Sequence, residues 1–229
     1  MAIELVVFDM AGTTVKDRNY VGQAFQQAMK FYGYDVPVAE VNPIMGYEKP
    51  VAIRMMLEKQ GVEEITDLLV DQIHQEFVER MMQFYRESDD IVALPGVEDT
   101  FAILKEAGIK IALNTGFSRN IAEVIVGRLG WEKKIDLLVA SDEVAHGRPY
   151  PDMIQKIMAT LGVESATNVV KVGDTEVDIN EAKNAGCALA IGITTGAFTR
   201  EELLPYEPTH ILDRIDGLLE ILQLKTKAL

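Results

Sequence analysis

Leu5-Val-Val-Phe-Asp9-Met-Ala-Gly-Thr-Thr14 joins an apolar run of four residues to an abrupt acid and a Gly-containing turn. A strand buried on both faces of a parallel sheet reads as such a continuous apolar run rather than as an alternation. Similar strand-sized runs recur at 110–113, 137–140, 169–172, 188–193 and 210–212. From the second run on, segments of helical period separate them, at 121–129, 151–161, 178–185 and 215–222. Strands alternating with helices predict an α/β fold on a doubly wound parallel sheet.

One interval breaks the alternation. Between the first run and Gly96 lie roughly eighty residues rich in helical stripes and poor in β-branched alternation, which predicts an inserted α-helical cap domain. Val21, Ala24, Phe25, Ala28, Met29 and Tyr32 share one face of a first helix, with Gly33 placed to end it. Ile65, Leu69, Ile73, Phe77, Met81 and Phe84 form a second stripe, and Leu94-Pro-Gly96 reads as the return linker. The expected division is a core of 1–16 and 92–229 around a cap of 17–91. The apolar helix beginning at Val21 is a candidate surface for pairing with a second copy as a homodimer.

The composition limits the partners. At 229 residues, 48% hydrophobic and 25% charged, the chain can bury a sizeable core. Its 22 Lys and Arg against 36 Asp and Glu give a net charge of -14, which repels nucleic-acid backbones and anionic lipid surfaces. No nucleic acid and no membrane partner is expected. No run approaches the roughly 18 apolar residues of a membrane span, and no signal peptide is visible. The single cysteine, Cys187, lies in an apolar run and rules out a disulfide within the chain, so a reducing cytoplasmic location is expected.

On this map the polar outliers fall at the carboxyl ends of strands: Asp9 after the first, Thr115 after the second, Arg148 beyond the third and Asp174 after the fourth. Ligands of open α/β sheets bind at that edge, so the four residues are expected to converge on one crevice beneath the cap. Asp9 and Asp174 facing each other there would repel unless a cation lay between them, and hard oxygen donors suit Mg²⁺. Arg148, in a loop stiffened by Pro149 and Pro151, offers a fixed positive charge to a phosphoryl group. Asp178 stands where a helix opens, a position that favours an acid and also admits a plain capping role. His74 and His210 read as surface residues, and His146 neighbours the Arg148 loop.

The segment Phe8-Asp-Met-Ala-Gly-Thr-Thr14 resembles the first motif of the haloacid dehalogenase superfamily, whose strand-end Asp is a nucleophile. Thr115 in Leu113-Asn-Thr-Gly116 looks like the second motif, Arg148 takes the place usually held by Lys in the third, and Gly173-Asp174-Thr-Glu-Val-Asp178 looks like the fourth. The resemblance implies a Rossmannoid core. Carried over, Asp9 attacks phosphorus to form an aspartyl-phosphate. Asp9, Asp174 and the Ala11 carbonyl bind Mg²⁺, with Asp178 supporting the metal loop. Thr115 and Arg148 hold phosphoryl oxygens, and Gly116 belongs to the substrate site.

The family usually has an Asp two residues beyond the nucleophile to protonate the leaving oxygen, and here that position is Ala11. The phosphonoacetaldehyde hydrolase branch shares this Ala, the run Asp-x-Ala-Gly-Thr-Thr and the loop Gly-Arg-Pro-Tyr-Pro, all present here. Met45-Gly46-Tyr-Glu-Lys49 resembles that branch's substrate-binding cap segment, whose Lys forms a Schiff base with the aldehyde. Carbon then leaves as an enamine, and no acid is needed at Ala11. Three residues depart from the pattern: Ala52 replaces a His, Glu48 is expected to keep the amine protonated, and Pro50 follows Lys49. An exposed Lys opening a cap helix is the plain alternative for Lys49. The expected substrate is a small phosphonate or phosphorylated metabolite. A phosphoglycolate-type phosphatase and a non-catalytic phosphometabolite-binding protein are the competing readings.

Overall fold

The computed structural model describes residues 2–224, so Met1 and 225–229 of the expected core lie outside the described residues. In chain order the elements are β1 (Leu5–Phe8), α1 (Tyr20–Phe31), the short α2 (Val38–Val41), α3 (Lys49–Lys59) and α4 (Asp67–Glu87). There follow α5 (Val97–Glu106), β2 (Lys110–Thr115), α6 (Arg119–Leu129), β3 (Leu137–Ala140), α7 (Asp152–Leu161) and β4 (Val169–Gly173). The chain continues through α8 (Glu176–Ala185), β5 (Leu189–Ile193), α9 (Arg200–Leu203), β6 (His210–Leu212) and α10 (Gly217–Ile221). The six strands form one parallel sheet in the order β3-β2-β1-β4-β5-β6, the expected α/β fold.

Alternation explains why the strands read as continuously apolar. In β1, Val6 and Phe8 join the cluster holding Phe101 of α5 and Ile121 of α6, while Leu5 and Val7 join Met153, Ile154 and Ile157 of α7. Each face is covered by helices, so each residue of the strand is core. Register then aligns the site. Phe8 lies opposite Leu113 on one side and Val172 on the other, so Asp9, Asn114 and Gly173 occupy the next row and Thr115 and Asp174 the one beyond.

Helix α5, which the alternation of runs does not reveal, buries Val97, Thr100, Phe101 and Leu104 behind Gly96, whose φ of 82° needs a glycine. The cap helix α1 buries Val21, Ala24, Phe25, Ala28 and Met29 as its periodicity predicts. That stripe packs on α4 within the same chain, which removes it as a surface for a second copy. On α4 the buried face is Val70, Ile73, Phe77, Met81 and Tyr85. Leu69 and Phe84 are only half buried, because they flank the stripe centred on Ile73, Phe77 and Met81, and Ile65, also half buried, precedes the helix, which starts at Asp67 and not at Ile65 as the stripe predicts. Thr66 caps α4 by accepting the Leu69 N–H at 3.2 Å. No described helix is long and apolar enough to cross a membrane.

Candidate active site

The carboxyl edge of the sheet and the cap enclose a cavity of about 340 Å³. Asp9, Ala11, Thr115, Gly116, Arg148 and Asp174 reach it from the core, and Met45, Gly46 and Lys49 from the cap. These predicted site residues meet in one place. Asp178 does not line the cavity and stands directly behind it.

Asp9 is nearly buried, and Arg148 Nη1 donates to its Oδ1 at 2.6 Å. Arg148 Nη1 also donates to Asp178 Oδ1, while its buried Nε has no hydrogen-bond partner among the described residues. Asp178 Oδ1 further receives Lys171 Nζ at 2.9 Å, and its Oδ2 accepts the Thr175 hydroxyl at 2.7 Å and the Thr175 N–H at 3.2 Å. Asp178 is therefore the third residue of α8 reaching back to the residue that precedes the helix, and it is also the hub that orients Arg148. Asp174 is fixed from both sides: its Oδ2 accepts the Ala197 N–H at 2.7 Å and its Oδ1 the Thr13 hydroxyl at 3.2 Å. Gly12 permits this approach, since a Cβ there would come within 2.6 Å of Asp174 Oδ2.

The electrostatics separate the three acids. Burial raises the Asp9 carboxyl above its ordinary range, with Arg148 opposing. Burial and the neighbouring Asp9 and Asp178 push Asp174 well above that range. Burial also works against the Asp178 carboxylate, but Arg148 and Lys171 outweigh it and hold it at about 2. Carboxylate oxygens of the three lie within 4.8 Å of one another, a donor set that could hold a metal ion.

Lys49 overturns both the surface reading and the expected effect of Glu48. It opens α3 yet is only 2% exposed. Its Nζ donates to the Met45 carbonyl at 2.8 Å and the Tyr47 carbonyl at 3.1 Å, and lies 5.9 Å and 5.8 Å from the ring centres of Phe77 and Phe117. Burial, helped by the positive charge of Arg148, brings its amine down to about 7. Glu48 does not neutralise that effect, because its carboxylate turns to the backbone of Gly147. Pro50 fits the first turn of α3, where a missing N–H costs nothing. Ala52 is fully buried in the cap core.

Gly46 and Gly116 form the seam between cap and core. A Cβ on Gly46 would strike Thr175 and Val177, and one on Gly116 would come 2.8 Å from the Tyr47 carbonyl. Thr115, nearly buried, accepts the Phe117 N–H on its hydroxyl at 3.2 Å. His146 pairs with Asp152 at 3.1 Å on the surface and is not part of the cavity lining.

Several polar residues of this region escape the strand-end pattern. Asp17, Asn19 and Asn42 line the cap side of the cavity. Behind the floor, Lys171 of β4 reaches Asn114 Oδ1 at 2.7 Å and Glu181 at 3.6 Å, and Asn114 in turn donates to both Glu181 oxygens. The lone charge inside an otherwise apolar strand at 169–172 was the available signal for that network.

An acid at a strand end, a second acid beside it and a helical cap over them agree with what sequence comparison finds. The family model for haloacid dehalogenase-like hydrolases matches residues 3–186, and the chain belongs to that family of hydrolases. Within it the chain is phosphonatase-like. The phosphonoacetaldehyde hydrolase of Bacillus cereus (strain B4264) is 30% identical over 231 residues, spanning 94% of this chain and 86% of the relative. Among solved structures, a phosphonoacetaldehyde hydrolase like protein from Oleispira antarctica superposes with a TM-score of 0.86 at 22% identity, covering 97% of this chain and 92% of its own. A predicted phosphoglycolate phosphatase from Haemophilus somnus 129pt gives 0.81 at 21% identity, covering 96% and 98% respectively. At those identities the solved structures attest the fold.

Proposed function

We propose that this hydrolase is a Mg²⁺-dependent phosphonatase that cleaves the carbon–phosphorus bond of a small phosphonate aldehyde such as phosphonoacetaldehyde. The observation that carries the reading is Lys49: a buried amine in the same cavity as Asp9, hydrogen-bonded to two backbone carbonyls and brought down to about 7. A surface lysine, with a pKa near 10.4, would be a poor nucleophile at neutral pH.

The metal that the family implies fits the residues present. Asp9 and Asp174 offer hard oxygens on the cavity, the Ala11 carbonyl completes the protein's share, and Asp178, whose oxygens are already occupied, supports the loop. Bound there, Mg²⁺ would offset the charge of the two carboxylates and the phosphoryl group.

The chain's residues then divide the work. Lys49 condenses with the aldehyde to give an iminium, and the cap proposed over 17–91 brings it to the core. Arg148 and Thr115 hold phosphoryl oxygens, and the Arg148 Nε, without a partner among the described residues, is a donor for that task. Asp9 attacks phosphorus. The carbon–phosphorus electrons pass into the iminium, giving an enamine on Lys49 and a phosphoryl group on Asp9. Water releases phosphate from Asp9. Met45, Gly46 and Gly116 shape the site for a short chain. A leaving carbon stabilised in this way needs no proton donor at Ala11.

Phosphate release from phosphonoacetaldehyde and from a set of small phosphate esters, with and without Mg²⁺, tests the reading. Metal-dependent turnover of the aldehyde is expected. Efficient ester turnover with none of the aldehyde would instead establish a phosphoglycolate-type phosphatase.

A further inference from the structure

The cavity holds five ionisable side chains, and the reaction above employs all but one. Asp9, Arg148 and Asp174 face the phosphoryl end and Lys49 the carbonyl end, which leaves Asp17. Asp17 lies in the connection between β1 and α1, half buried. Its Oδ1 accepts the Tyr20 N–H at 2.7 Å, so the first turn of α1 fixes the carboxyl group against the cavity wall. The other neighbours on that wall are amides, Asn19 and Asn42, which cannot exchange a proton at neutral pH. Ala52 is buried away from the cavity.

Iminium formation needs a group that first gives and then takes a proton beside the amine. We infer that Asp17 is the acid–base residue for the condensation of Lys49 with a substrate carbonyl, an assignment that rests on the phosphonatase reading. As Nζ attacks the carbonyl carbon, the Asp17 carboxylic acid gives its proton to the oxygen. The carboxylate then takes a proton from the new ammonium, leaving a neutral carbinolamine. That proton passes to the hydroxyl, which departs as water while the nitrogen lone pair forms the carbon–nitrogen double bond. The net change is amine, aldehyde and carboxylic acid to iminium, water and carboxylate, so charge and protons balance. After carbon–phosphorus cleavage a solvent proton adds to the enamine carbon. Hydrolysis of the resulting iminium runs the same steps backwards and returns the proton to Asp17.

The surroundings suit this cycle. Burial raises the Asp17 carboxyl above its ordinary range, with the Tyr20 N–H and Lys49 opposing. Asp17 and Lys49 also act on each other electrostatically; that attraction favours the charged pair, and burial outweighs it for both groups, towards the acid and the free amine that the condensation uses.

The test separates acid–base work from helix capping. Asp17→Asn keeps an oxygen for the Tyr20 N–H but carries no exchangeable acid. Asp17→Ser keeps a capping oxygen and leaves room for formate. The readout is the rate at which borohydride traps phosphonoacetaldehyde on the full chain with Mg²⁺, alongside thermal midpoints. Asp17→Asn is expected to slow trapping about 10²-fold or more, the usual scale of general acid–base catalysis, without a large loss of thermal stability. Asp17→Ser is expected to be equally slow and to recover with added formate. Trapping by Asp17→Asn within about twofold of wild type would overturn the assignment while leaving the Lys49 chemistry intact. Slow variants with lowered midpoints and no formate response would assign Asp17 to capping alone, which also overturns it. Absence of any adduct in the wild-type protein would overturn the Lys49 reading, and the Asp17 assignment with it.

Discussion

Arg148 Nη1 sits 2.6 Å from Asp9 Oδ1, with both side chains almost entirely buried, so the cation proposed to hold the phosphoryl group also orients the proposed nucleophile. An amide at position 9 keeps an oxygen acceptor for Arg148 but cannot attack phosphorus. Asp9→Asn is therefore expected to fold normally and lose about 10³-fold or more in phosphate release. Circular dichroism and a phosphate assay check both halves, and near wild-type turnover would remove Asp9 from the mechanism.

The buried cation behind the floor sets a second expectation. Lys171 is bridged to Asp178 at 2.9 Å and Glu181 at 3.6 Å. Lys171→Met would take that cation from both acids, leaving Asp178 to Arg148 and Thr175 and Glu181 to the Asn114 amide, and removing one member of a buried pair costs about 3–5 kcal/mol. Urea denaturation measures this directly. A loss below about 1 kcal/mol would show that the network tolerates a neutral core residue there.

That network marks where the sequence stops being readable. Asp9, Thr115 and Asp174 are legible because a parallel strand buried on both faces writes an apolar run, and the polar break after it marks the sheet's carboxyl edge. Lys171 lies inside such a run, and its partners Asn114 and Glu181 come from β2 and α8, so only the strand register brings them together. Lys49 was visible as a motif residue, but its burial depends on Phe77 of α4 and Phe117 beyond β2 closing around it. Local neighbours suggested the opposite, since Glu48 is adjacent in sequence yet turns to Gly147. Asp17 carries no strand-end or motif signal at all and reaches the cavity through the turn that starts α1.

Ala11 leaves the cavity without the acid that protonates an ester's leaving oxygen. Ala11→Asp is expected to raise hydrolysis of small phosphate esters by up to about 10²-fold, within the range general acids supply. Steady-state kinetics on an ester and on phosphonoacetaldehyde check it. Equal losses on both substrates would show that this crevice has no use for an acid at that position.

The depressed amine of Lys49 predicts a pH profile. Only the neutral amine attacks a carbonyl, so in Asp17→Asn, where no carboxylic acid takes part, a value of about 7 makes the residual borohydride trapping rate fall tenfold per pH unit below 7 and level off above it. A lysine of ordinary basicity, near 10.4, would instead give a rate still climbing at pH 9. The same shift affects stability. Between about 7 and the ordinary value of 10.5 the unfolded chain binds the proton and the folded chain does not, so this residue's contribution to stability rises with pH across that window.

The most direct test is to locate the covalent adduct. The protein is incubated with phosphonoacetaldehyde, reduced with borohydride, digested and analysed by mass spectrometry, with Lys49→Arg in parallel. Arginine keeps a positive charge but forms no imine under these conditions. The predicted result is an added mass on the peptide containing Lys49, loss of activity in step with labelling, and neither labelling nor aldehyde turnover in Lys49→Arg. Turnover of the aldehyde with no adduct, or an adduct on another lysine with full activity in Lys49→Arg, would contradict the assignment of Lys49 as the residue that makes carbon a leaving group.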